Sequence, residues 1–238
     1  MVPGVAALIT SAAADVSRGY LHGMTSLAAP VPPVPTDVPP ASIAWLRASV
    51  ARFSNGADHD RRRALAVDLL AEVEPEVLRR KAFDAAGGDP RLVVVGVLAG
   101  ELGLPVAASD VVTAAAAYHP HVPPSADAEA ALGRLVAACG GPTELTAARI
   151  GLLIQACEAT AGLIRNAVPL VRAGKPPEEA VAEVLRADPP VSHTRRRVRG
   201  EDVLVPLAGT PFGAGPRECP GPAHAIALAT GVLAATPG

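Results

Sequence analysis

The chain has 238 residues, enough for one domain or a tight pair. Half of them are hydrophobic, 18% are charged and the formal net charge is -2. The excess of positive charge that marks a nucleic-acid binder is therefore missing. Proline and glycine number 25 and 22, below the share typical of disorder, and with 3% aromatics the core has to be Ala, Val and Leu packing. Cys139, Cys157 and Cys219 are an odd number at wide spacings, which suits neither a disulfide framework nor a zinc site. Met1 to Ala14 lacks a basic region ahead of its apolar residues, so no secretory leader is expected. The apolar part of the tail, Ala225 to Ala235, is too short for the ~20 residues of a membrane span. These features predict a soluble, reduced, cytoplasmic protein with neither nucleic acid nor membrane as partner.

Taken in order, residues 1–41 read as a proline-rich lead-in and residues 42–238 as a single domain. Pro30 to Pro40 is extended by composition. Ser42 is an N-cap for a helix through Ile43, Leu46 and Val50. Asn55 or Asp58 opens the next, from Asp60 to about Ala82, with Leu65, Leu69, Val73 and Val77 at helical spacing. Gly87 to Pro90 is a break. Leu92 to Leu104 is apolar and suits helix or strand, its length favouring helix. Short helices follow from Ser109 or Asp110 and, capped by Ser125, from Asp127 to about Cys139. Glu144 to Val171 is the longest helical stretch, with Pro169 marking its end. Pro176-Pro177-Glu178-Glu179 begins another helix, with proline in its first turn, that runs to about Arg186. Asp202 to Leu207 is the one good strand. A Gly/Pro loop spans Thr210 to Gly221, and a last helix runs from about Pro222 to Ala235. The fold class is mainly α with a small β element near residues 191–207.

Chemistry concentrates in Phe212-Gly-Ala-Gly-Pro-Arg-Glu-Cys-Pro-Gly221. A cysteine just ahead of a helix faces that helix's unpaired N–H groups and positive end, which favour thiolate over thiol, and Arg217 adds positive charge. Gly213, Gly215 and Gly221 let a flat ligand approach the backbone closely. The spacing of Phe212, Gly215, Arg217, Cys219 and Gly221 matches the haem-binding loop FxxGxRxCxG, and in this the chain resembles the cytochrome P-450 family. Members of that family are much longer than this chain.

Other segments extend the resemblance in the family's order. Glu183-Val-Leu-Arg186, ahead of Asp188-Pro189-Pro190, looks like the ExxR motif, with both charges on one helical face. Arg196, with an arginine on either side, falls where the family places a propionate-binding arginine. His59 and Arg63 resemble the HxxxR of the haem-contacting helix, and spacing i, i+4 lets both reach one propionate. Gln155 to Ile164 is similar to the central helix with its AGxETT pattern. One register makes Glu158 the acid, Ala159 the position of the catalytic alcohol and Thr160 the second threonine. A slip of one makes Thr160 the alcohol.

The resemblance implies a compact, reduced P-450-like fold holding haem b (iron protoporphyrin IX), with Cys219 on the iron. His59, Arg63, Arg196, Phe212, Gly215, Arg217 and Gly221 would form the cofactor site, and Glu158 and Thr160 the catalytic pair. It implies oxidative modification of a small organic molecule in bacterial specialised metabolism, by an atypical or peroxide-dependent route. Two alternatives stand beside it: haem chemistry on an N–O, N–N or peroxide bond, and a non-catalytic regulatory or interaction module. A ferredoxin and reductase are the partners such an oxidase would take, and shortened lid segments that leave apolar surface open imply a homodimer.

Overall fold

Polar caps set where the helices begin. Ser42 Oγ accepts the Trp45 amide at 3.0 Å, Asp89 the Arg91 amide at 2.9 Å, Ser125 the Ala128 amide at 3.2 Å and Thr143 the Thr146 amide at 3.1 Å. In this computed structural model residues 26–237 are described; most of the N-terminal lead-in, with Met1 to Ala14, lies outside them. The helices are α1 (Ile43–Ser49), α2 (Gly56–Ala71), α3 (Pro75–Asp84), α4 (Pro90–Glu101), α5 (Ala108–Ala115), α6 (Ala126–Ala138), α7 (Glu144–Arg172), α8 (Pro177–Ala187) and α9 (Pro222–Ala234). Strands β1 (His193–Val198) and β2 (Glu201–Pro206) form an antiparallel hairpin.

The sequence places one helix across residues 60–82, but there are two. Glu74 is extended (φ −76°, ψ 121°), as a residue ahead of proline prefers, and Pro75 then starts α3, where its missing N–H costs nothing. Pro169 does the reverse. It sits inside α7, which runs on to Arg172 and closes with the Ala173 amide donating to the Pro169 and Leu170 carbonyls. A lost ladder bond so near the frayed end does not stop the helix.

The chain folds as two compact units. Pro33–Val191 and the residues from Pro220 onward make a helical unit; Ser192–Cys219 and the described residues up to Pro32 make a hairpin unit. In the helical unit α7 is the central rod, packed by α1, α2, α4, α5, α6, α8 and α9, while α9 also lies along α3. Ile150, Leu153, Leu163 and Ile164 of α7 are fully buried with Leu78, Val94, Leu132, Leu228 and Leu233 around them. Among the described residues α7 alone is long and apolar enough to cross a membrane, and it is the buried core helix of its unit. Small residues set the closest approaches. A Cβ on Gly231 of α9 would stand 2.2 Å from the Arg79 carbonyl oxygen of α3, and one on Gly162 of α7 would stand 2.8 Å from Pro190 Cβ.

The hairpin unit adds a strand that the sequence does not advertise. In β1, His-Thr-Arg-Arg-Arg-Val, three arginines hide the alternation. Arg196 is the residue that turns inward, 7% exposed. A two-residue turn at Arg199 (φ 53°) and Gly200 (φ 88°) joins the strands in the doubly left-handed conformation that matches strand twist. Leu27, Val31, Val205 and Leu207 are the buried apolar residues described for this unit.

Candidate haem-loop and helix sites

The loop after β2 is closed by its own backbone. The Thr210 amide donates to the Leu207 carbonyl at 2.9 Å, the Gly213 amide to Thr210 at 2.8 Å, and the Cys219 amide to the Phe212 carbonyl at 2.8 Å. Within it Gly215–Arg217 makes one 3₁₀ turn, capped by the Glu218 amide on the Gly215 carbonyl at 3.1 Å. Gly213 (φ 77°) and Gly215 (φ 67°) are left-handed, the backbone state that glycine alone adopts at little cost. The Phe212–Cys219 bond brings the ends of this segment together, and Phe212, Arg217 and Cys219 are all half-buried.

Arg196 belongs to the same unit and is bound from within it. Its Nε donates to the Leu27 carbonyl at 2.9 Å, and its Nη1 to Thr194 Oγ1 at 2.7 Å and the Arg195 carbonyl at 2.8 Å. These carbonyls satisfy a buried cation and tie the end of the lead-in to β1, as does the Arg197 amide on the Pro30 carbonyl at 2.7 Å.

The helical unit holds His59, Arg63, Glu158, Thr160 and Gly221. His59 is 5% exposed on the first turn of α2, with Nδ1 3.0 Å from Asp60 Oδ1, and Arg63, one turn on, is half-buried. The neighbouring arginines make a bridge that the sequence does not reveal. Arg61 forks onto Glu144 of α7 (Nε to Oε2 2.8 Å, Nη2 to Oε1 2.7 Å), and Arg62 Nε reaches Oε1 at 2.8 Å. Arg62 also donates to the Ala48 carbonyl at 2.7 Å and to Ser54 Oγ, so it ties α1 and the turn after it to α2. The hydrogen bonds from Arg61, and then from Arg62, hold the Glu144 carboxyl down at about 2.

On α7 the two expected catalytic residues point apart. Glu158 is exposed and pairs with Arg91 of α4 at 3.3 Å and with Arg165 at 3.6 Å. Thr160 is 1% exposed, and Ala159 between them is half-buried. Positions i and i+2 of a helix do not share a face. The adjacent Cys157 is fully buried, and burial pushes its thiol up to about 11. On α8, Glu183 pairs with Lys175, the main cause of its lowered pKa, while Arg186 is exposed. Lys175 precedes the helix by only two residues, yet the Glu-x-x-Arg spacing drew attention to Arg186 instead.

Gly221 is the N-cap residue of α9, and a Cβ there would stand 3.0 Å from Leu70 Cδ1 and 3.4 Å from His224 Nδ1. His224 Nε2 donates to the Leu70 and Val73 carbonyls at 3.1 and 2.9 Å. It thus ties α9 to the turn that follows α2, where the Leu70 carbonyl also accepts the Val73 amide at 3.1 Å. His119 and His121 are exposed, with rings stacked at 5.5 Å, and no group of three or more metal-ligating side chains occurs among the described residues.

No protein-family model matches the sequence, and no curated protein matches it. Solved structures do resemble the chain. A crystal structure of P450BioI in complex with hexadec-9Z-enoic acid ligated acyl carrier protein aligns with a TM-score of 0.63 at 17% identity, over 85% of this chain and 78% of that one. The crystal structure of CalO2 aligns with a TM-score of 0.43 at 18% identity, over 81% of this chain and 73% of that one. The likeness to P450BioI defines the fold: mainly α and P-450-like, with a small β element.

Proposed function

We propose that the chain is a haem-thiolate enzyme that oxidatively modifies a small organic molecule, in which Cys219 would hold haem b through its sulfur. The observation that carries this is the loop of Phe212 to Cys219, closed by its Cys219–Phe212 bond and left-handed at Gly213 and Gly215, in a chain with a P-450-like fold. The donor set suits the group. Within the hairpin unit it offers one sulfur for the iron, open space over Gly215 for a flat macrocycle, and the cations Arg196 and Arg217 for carboxylates. The chemistry that haem supplies when bound is redox, its thiolate ligand pushing electron density onto the iron and favouring O–O cleavage.

In this proposal Thr160 is the hydroxyl on the buried side of α7, and Glu158, held by Arg91 and Arg165, works from the solvent side. An acid and an alcohol on opposite faces cannot hand one proton between them directly. That separation favours a route in which peroxide is the oxidant, or in which a polar group of the substrate orders the proton. A ferredoxin and reductase are the partners if electrons are needed.

The test is the visible spectrum of the purified protein reconstituted with haem. Reduced and exposed to carbon monoxide, it is expected to show the long-wavelength Soret band of thiolate ligation, and Cys219→Ala is expected to lose it. Retention of the band in the variant sinks the assignment. Product formation with peroxide, compared with NAD(P)H and a reductase, separates the oxidative routes, and a thiolate spectrum without turnover in either identifies a non-catalytic module.

A further inference from the structure

One surface patch of the helical unit is complementary to itself. Among the exposed large apolar side chains of the described residues, Phe83 is the aromatic one, 50% exposed on α3. Beside it, where α3 meets α9, lies a hollow of about 340 Å³ lined by Arg79, Arg80, Phe83, Asp84, Gly231 and Ala234. The hollow lies beside the point where Gly231 lets the α9 backbone meet α3, and exposed Ala234 presents only a methyl group there. Arg79 is already used within the unit, 3.0 Å from Glu76 and 3.8 Å from Glu178. Arg80 and Asp84 are not: both are exposed, and neither has an ion-pair partner among the described residues. They stand at i and i+4, on one face of α3.

We propose that this patch is the interface of a two-fold homodimer in which α3 packs antiparallel on α3 of a second copy. The patch holds one knob and one hollow, one cation and one anion. A two-fold operation lays the same flank of the two helices side by side, so each Phe83 enters the other copy's hollow. The same antiparallel alignment, centred near Ala82, sets Arg80 of each copy opposite Asp84 of the other. A second copy of the chain therefore satisfies both charges and covers both aromatic rings, whereas a partner with only an apolar or only a charged surface satisfies half of the patch. The proposal is independent of haem binding.

Sedimentation equilibrium of the full chain, at tens of micromolar and low salt, tests it. Wild type is expected to dimerise, and Phe83→Glu to be monomeric with an unchanged far-UV circular dichroism spectrum, since Phe83 is half in solvent already. Arg80→Asp and Asp84→Arg each set like charges across the two-fold axis and are expected to weaken association about tenfold or more. The double variant Arg80→Asp/Asp84→Arg restores opposite charges and is expected to recover it. A monomeric wild type overturns the proposal. So does a dimer that survives Phe83→Glu, or a double variant no tighter than the singles, because the contact then lies elsewhere.

Discussion

Glu144 shows how a single residue can secure the central rod of the helical unit. It occupies the first turn of α7, where a carboxylate also suits the positive helix end, and it takes three hydrogen bonds from Arg61 and Arg62. Its pKa falls from an ordinary 4.5 to about 2. A depressed carboxyl pKa contributes stability that is present above the unfolded value and lost as pH falls through the folded one. The contribution of Glu144 should therefore be full above about 4.5 and fade toward about 2. Because the carboxyl is 34% exposed, the effect is moderated by solvent and salt. Glu144→Gln is expected to lower the urea midpoint near neutral pH, with the gap to wild type closing between those two pH values. A gap that stays constant with pH would mean that the ion pair contributes nothing. The basic run Arg61–Arg63 is plain in the sequence, but its carboxylate lies 83 residues away, and no local periodicity links them.

At the scale of elements, one helix pair has no slack. Gly231 of α9 brings its backbone against α3 so closely that a methyl group would meet the Arg79 carbonyl oxygen at 2.2 Å and Ala82 Cβ at 2.9 Å. Neither atom can swing aside, so Gly231→Ala has to push the helices apart. Overpacking of this kind costs roughly 1–3 kcal/mol, against about 1 kcal/mol gained in helix propensity. The net cost, up to about 2 kcal/mol, corresponds to a fall in melting temperature of up to about 8 °C. Gly96 of α4 is the control: it is exposed, with nothing within 4 Å of an added Cβ. Gly96→Ala should gain about 0.5–1 kcal/mol. Equal effects at the two positions would contradict the packing. Some element starts were legible in the sequence because Ser42 and Ser125 carry their own caps, whereas Asp89, the cap of α4, was read only as part of a break. The break at Pro75 was overrun because Leu65, Leu69, Val73 and Val77 keep helical spacing across it, and β1 was missed because its inward residue is an arginine. The haem-loop pattern was legible as five fixed residues. The opposed faces of Glu158 and Thr160 follow from their spacing, whereas Arg91 as a partner of Glu158 depends on how α4 meets α7.

Over the whole molecule, stability should be unevenly spread. The helical unit owns a large apolar core, with α7 and α9 carrying fully buried Ile150, Leu153, Leu163, Ile164, Leu228 and Leu233. The hairpin unit has two six-residue strands, four buried apolar residues among those described and the carbonyl bonds of Arg196. A two-stranded hairpin is marginal by itself, and local opening starts where buried apolar contacts are few. Hydrogen exchange followed by mass spectrometry is therefore expected to rank the segments. Peptides within α7 and α9 should exchange slowest, close to the rate of global unfolding. Peptides covering β1 and β2 should exchange at least about tenfold faster, through local opening. If Cys219 holds haem, adding it should slow exchange selectively in the loop from Leu207 to Gly221. That protection should vanish in Cys219→Ala, while α7 and α9 are unchanged. Uniform exchange over both units would show one cooperative body and remove the basis for the ranking. Haem that protects the loop equally in wild type and in Cys219→Ala would place its attachment elsewhere.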